Sequence, residues 1–100
     1  MFLLDDPGNN LLAFSTEAEA VAAASSAIES YRSECTQTGE WSYSVEGVAV
    51  YTMPDDTTVD DCADYGIAES GCRMMWESVE IGNDEEGYDY KLMPAAKENE

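Results

Sequence analysis

The chain contains no histidine and only four basic residues, Arg32, Arg73, Lys91 and Lys97. Without an imidazole, no cysteine or serine has its usual base, a zinc site lacks its usual nitrogen ligand, and acid–base chemistry falls to carboxylates. Adjacent pairs such as Asp55-Asp56 and Asp60-Asp61 sit in polar segments, where neither burial nor isolation splits their pKa values as a catalytic pair requires. Ser70-Gly71-Cys72 is not a nucleophile elbow, and no phosphate-cradling glycine loop occurs. The acidic stretch Gly82-Asn83-Asp84-Glu85-Glu86-Gly87 has oxygen ligands, but its glycines and acids are out of register with a calcium loop, so a solvated turn is expected there. No catalytic residue, cofactor or metal site is expected.

Cysteine is scarce and unpaired by count: Cys35, Cys62 and Cys72, with no CxxC spacing. Reduced thiols are the expectation, with a Cys62–Cys72 disulfide as the alternative. Long apolar runs are also missing. The segment Phe2-Leu3-Leu4 stops at Asp5-Asp6, far short of a signal-peptide core or a membrane span, and a cytoplasmic protein is expected.

What the chain does hold is apolar side chain and negative charge. With 100 residues, 44% hydrophobic residues and ten aromatics, it has the material for one folded domain, placed at residues 1–93 with a polar tail at 94–100. Against its 4 basic residues stand 22 acidic ones, a net charge of -18. One-to-one pairing would leave 22 minus 4, or 18, carboxylates uncompensated. Such a field repels nucleic acid and anionic membranes and attracts cationic surfaces.

The local patterns describe an α+β fold. Leu11–Phe14 reads as a short strand. Thr16 with Glu19 has the form of a capping box, and Val21, Ala24, Ile28, Tyr31 and Cys35 form one apolar stripe of a helix that ends at Gly39. Trp41, Tyr43 and Val45 alternate with polar residues and predict a strand, paired as a hairpin through Glu46-Gly47 with Val48–Met53. Thr57 or Thr58 caps a second helix along Val59, Cys62, Ala63 and Ile67, weakened at Gly66 and ended at Gly71. Two strands follow, over Cys72–Ile81 and Tyr88–Met93. The predicted order is β-α-β-β-α-β-β, a mostly antiparallel sheet with two helices on one face. Trp41, Tyr43, Trp76, Tyr88 and Tyr90 are assigned to its core.

More than half of the acids fall in one third of the chain: Asp55, Asp56, Asp60, Asp61, Asp64, Glu69, Glu77, Glu80, Asp84, Glu85, Glu86 and Asp89, with Arg73 as the only basic residue among them. These are the candidate partner-binding residues. If Asp56 joins the second helix, Asp56, Asp60 and Asp64 follow one another at four-residue steps, about 5–6 Å apart, and repel by a few tenths of a kcal/mol per pair. Duplex DNA carries about one charge per 1.7 Å of axis, and its receptors place lysine and arginine to meet it. Carboxylates on a folded surface can occupy the same cationic sites.

In its small size, extreme acidity, lack of histidine, capped alanine-rich helix and tyrosine-rich sheet, the chain resembles phage-encoded nucleic-acid mimics, in particular anti-CRISPR proteins directed at type I surveillance complexes, and also anti-restriction mimics. The resemblance lies in size and composition, with no diagnostic motif. It implies an inhibitor, not an enzyme, that occludes a basic nucleic-acid groove of a protein partner inside an infected bacterium. Two other readings fit the same charge: halophilic adaptation of an ordinary small protein, and an acidic adaptor or chaperone for a basic protein.

Overall fold

A computed structural model describes residues 1–6, 11–83 and 87–95. Five strands form one antiparallel sheet: β1 (Phe2–Asp5), β2 (Leu11–Phe14), β3 (Ala49–Thr52), β4 (Arg73–Asn83) and β5 (Gly87–Pro94), in the order β2-β1-β3-β4-β5. With two helices, α1 (Glu17–Thr38) and α2 (Val59–Tyr65), this is an α+β domain.

The apolar segment Phe2-Leu3-Leu4 is a strand that the sequence reading did not assign. It is apolar at consecutive positions because β1 lies inside the sheet and is covered on both faces. Neighbouring side chains of a strand point to opposite sides. Leu4, 2% exposed, packs with Ala20, Ala24 and Ile28 of α1, while Leu3, fully buried, packs with Cys62 of α2. The two helices therefore cover opposite faces of the sheet, which corrects the placement of both on one face. Each of these leucines contributes about 1.5–3 kcal/mol of burial.

The predicted strand over Trp41–Glu46 is also corrected. Tyr43–Gly47 winds into a 3-10 helix, with the Ser42 hydroxyl accepting the Ser44 N–H at 3.2 Å. Val45 and Val48, three residues apart, both reach full burial in the α1-side core, as a helix of three residues per turn allows. Both edges of β3 are already taken, by β1 and β4, so no hairpin arm can pair there.

Helix α1 starts where expected. Thr16 Oγ1 accepts the Glu19 N–H at 3.2 Å and donates to the Glu19 carboxylate at 3.2 Å, and Gly39, at φ 84°, returns its N–H to the Cys35 carbonyl at 2.7 Å. Its buried residues are Ala20, Ala24, Ile28 and Tyr31, so the stripe is turned slightly from the predicted one and Val21 and Cys35 sit at its margins. The Tyr31 hydroxyl donates to buried Asp6 at 2.6 Å, and Trp76 Nε1 donates to Glu17 at 2.7 Å, fixing the helix to β1 and β4.

Between β3 and β4, Val50 pairs with Trp76 and Tyr51 with Met74, leaving Met75 as a bulge. The extra residue turns Trp76 toward α1, where it lies at the core margin as Trp41 does, while Tyr90 is buried in the core. The side chains of Tyr43 and Tyr88 lie outside the described residues. β5 ends at Pro94, and the Ala95 N–H donates to the Met75 carbonyl at 2.9 Å, so the ordered ladder enters the stretch assigned to a tail. Among the described residues no helix is long and apolar enough to cross a membrane.

Candidate functional site

The acids around α2 belong to one tied unit. Asp55 and Asp56 occupy the tip of a turn closed by the Thr57 N–H to the Pro54 carbonyl at 3.1 Å. Thr58 then caps the helix in a full capping box: its Oγ1 accepts the Asp61 N–H at 3.1 Å, and Asp61 Oδ2 accepts the Thr58 N–H at 3.1 Å. Asp56 thus stays outside the helix, and only Asp60 and Asp64 keep the four-residue spacing. Gly66 closes α2, five residues earlier than the expected Gly71, and Glu69 lies in the following turn. Two hydroxyls bind that turn to the start of the helix, Ser70 Oγ to the Asp61 carbonyl and Thr57 Oγ1 to the Ser70 carbonyl, both at 3.3 Å.

Asp55, Asp56, Asp60, Asp64 and Glu69 are all exposed on this unit. Asp61 is half-buried and occupied in the cap, where a carboxylate near a helix N-terminus is favoured by the aligned backbone dipoles.

The remaining candidates are distributed differently. Glu77 and Glu80 are three apart on β4 and so project from opposite faces. Glu77 stands opposite Met93, whereas Glu80 stands opposite Tyr90, whose hydroxyl donates to it at 3.5 Å. Asp89 is held by Arg32, with Nε donating to Oδ1 at 2.8 Å. Burial works to raise the Asp89 pKa, but the Arg32 hydrogen bond and charge and the Tyr90 N–H together bring it below 3.8. Asp84, Glu85 and Glu86 lie outside the described residues.

On the α1 side, Glu80 shares a cleft of about 380 Å³ with Glu40, Trp41, Glu46 and Tyr90. The rings of Trp41 and Tyr90 meet edge to face, with centroids 4.9 Å apart. Glu40 and Glu46 were not among the sequence candidates. Their signal was their position at the two ends of the aromatic segment starting at Trp41, which becomes concave only when Tyr43–Gly47 coils. Aromatic faces and carboxylates together suit a cationic side chain.

Among the described residues, both ion pairs use the same cation, Arg32, with Glu29 at 2.7 Å and Asp89 at 2.8 Å. Arg73 and Lys91 are exposed. No group of three or more His, Cys, Asp or Glu side chains among the described residues is placed to hold a metal ion. Comparison with protein-family models, with curated proteins and with solved structures returns no match.

Proposed function

We propose that this protein is a non-catalytic inhibitor whose exposed carboxylates on the α2 unit occupy the phosphate-binding residues of a basic nucleic-acid groove. The supporting observation is that Asp55, Asp56, Asp60, Asp64 and Glu69 are all exposed on one hydrogen-bonded unit whose fold uses Asp61 alone among its acids as a structural group. Charges left facing solvent on a tied frame repel one another and cost stability, and a cationic partner relieves that cost. By the resemblance in size and composition, the receptor is a CRISPR surveillance complex, type I in the favoured case, and the site of action is the bacterial cytoplasm. Neither a cofactor nor a membrane enters this reading.

Competition tests it. A guide-loaded type I complex holding fluorescent target duplex is titrated with the protein, and the apparent DNA affinity is expected to fall in proportion to inhibitor concentration. A complex that binds protein and DNA together rules out occlusion and favours the adaptor reading. Melting in low and in molar salt addresses halophily: a fold that is stable at low salt is expected, and one that requires molar salt favours halophilic adaptation.

A further inference from the structure

Cys62 and Cys72 place their sulfurs 3.6 Å apart in the layer between α2 and the sheet, and both are free thiols. Cys62 is 2% exposed and Cys72 8%. A third sulfur, Met53 Sδ, lies 4.0 Å from Cys62 Sγ and completes a soft, dry surrounding. Nothing in the acidic surface needs this pair: Cys62 is the buried residue of α2, and Cys72 is the last residue before β4.

We propose that Cys62 and Cys72 are a redox modification site, a dithiol that low-molecular-weight disulfides of the glutathione class convert to an internal disulfide clasping α2 to the start of β4. Closing the bond brings the sulfurs from 3.6 Å to about 2.05 Å, a movement of about 1.5 Å. Side-chain rotation and the turn from Gly66 to Gly71 can supply it, since that turn is not part of the sheet. The third thiol cannot compete: Cys35 is on α1, across the sheet from α2.

The exchange balances in two steps. One cysteine thiolate attacks the external disulfide and forms a mixed disulfide, releasing one small thiol that takes up a proton. The second cysteine then attacks the protein sulfur of that mixed disulfide and displaces the second small thiol. The protein loses two electrons and two protons, and the external disulfide becomes two thiols. Burial first, and then the hydrogen bond to Cys62, push the Cys72 thiol up to about 11. A protonated, covered thiol reacts slowly, so exchange proceeds through local opening of α2, a helix of 7 residues, and not through the sheet. The inference rests on sulfur geometry and stands apart from the reading of the acidic surface.

The test equilibrates the full chain in glutathione buffers of graded oxidised-to-reduced ratio, quenches exchange with acid, alkylates the free thiols in denaturant so that buried ones are reached, and reads the label count by mass and the linkage by peptide mapping. Expected at oxidising ratios are a single label, at Cys35, a 62–72 cross-linked peptide, and a Tm higher by about 10 °C that dithiothreitol abolishes. The Cys35→Ala variant should keep the whole effect, and Cys72→Ala should lose it while still melting cooperatively in its reduced form. Three labels at every ratio, linkage through Cys35, or a cross-link that leaves Tm unchanged would overturn the proposal.

Discussion

Arg32 reaches from α1 over the outer edge of β5, giving Nε to Asp89 Oδ1 and Nη2 to the Tyr90 carbonyl, each at 2.8 Å. The same Asp89 oxygen accepts the Tyr90 N–H at 2.8 Å. An edge strand carries outward N–H and C=O groups that invite another strand, and here Arg32 and Asp89 occupy both backbone groups of Tyr90. The most connected cation of the described chain is thus a cover for the sheet edge, anchored from a helix on one face.

Replacing this cover has a definite cost. The Arg32→Met variant keeps the aliphatic stem but removes the donors. Because Arg32 and Asp89 are one-third and nearly one-half exposed, the charge-assisted bonds contribute about 1 kcal/mol and not the larger value of a buried pair. A Tm lower by about 4–8 °C is expected, with concentration-dependent self-association on sedimentation. Lysine cannot span both acceptors, so Arg32→Lys should resemble Arg32→Met.

Two carboxyls at different places on the sheet should answer pH in opposite senses. Burial, and then the charge of Asp6, raise the Asp5 pKa above 3.8. A group that holds its proton more tightly when folded contributes stability below its unfolded pKa and loses it as pH rises through the folded value. Asp89, lowered, contributes stability above its unfolded pKa and loses it as pH falls through the folded value. Asp5→Asn should therefore raise Tm at neutral pH, with the gain vanishing below about pH 4. Asp89→Asn should lower Tm at neutral pH, with a deficit that narrows on acidification. Thermal melts across this range decide it, and a gain for Asp5→Asn that survives at acid pH would assign the effect to packing.

The cap of α2 is testable on its own. Seven residues are too few for a helix to persist without its ends being satisfied, and the Thr58–Asp61 box supplies two of those bonds. Thr58→Ala is expected to cost about 1 kcal/mol, and amide exchange at Asp61 and Cys62 should accelerate more than exchange in β1 or β3.

Much of this architecture was legible in the sequence where local chemistry decides it. Thr16, Gly39 and the alanine-rich stripe defined α1, and Thr57 or Thr58, each with an aspartate three residues on, marked the start of α2, where the structure selects Thr58. What escaped was set by tertiary partners. Phe2-Leu3-Leu4 shows no alternation because both of its faces are covered, and Trp41, Tyr43 and Val45 alternate in a segment whose expected partner, β3, already has β1 and β4 on its two edges. Placing the helices on opposite faces needed the parity of Leu3 and Leu4, which means nothing until β1 is known to be a strand. The acid-rich segment was visible, but its division was not, because Glu77 and Glu80 part company only once β4 is assigned.

That division makes the functional reading sharper. A joint substitution of Asp60, Asp61 and Asp64 is unsuitable, because Asp61 closes the helix cap and its loss confounds binding with folding. The informative set is Asp55, Asp56, Asp60, Asp64 and Glu69, changed together to amides. Each exposed charge is worth only a few tenths of a kcal/mol, so the set should weaken partner binding by at least about tenfold and flatten its salt dependence, while Tm is unchanged or higher as repulsion is relieved. The comparison set is Glu40, Glu46 and Glu80, which line the cleft on the α1 side. A rigid groove meets one side of this molecule at a time, so neutralising the second set should leave affinity within about twofold. The opposite result, a loss of binding with the cleft set and none with the α2 set, would move the interface to the Trp41–Tyr90 cleft and replace phosphate imitation with capture of a single basic side chain.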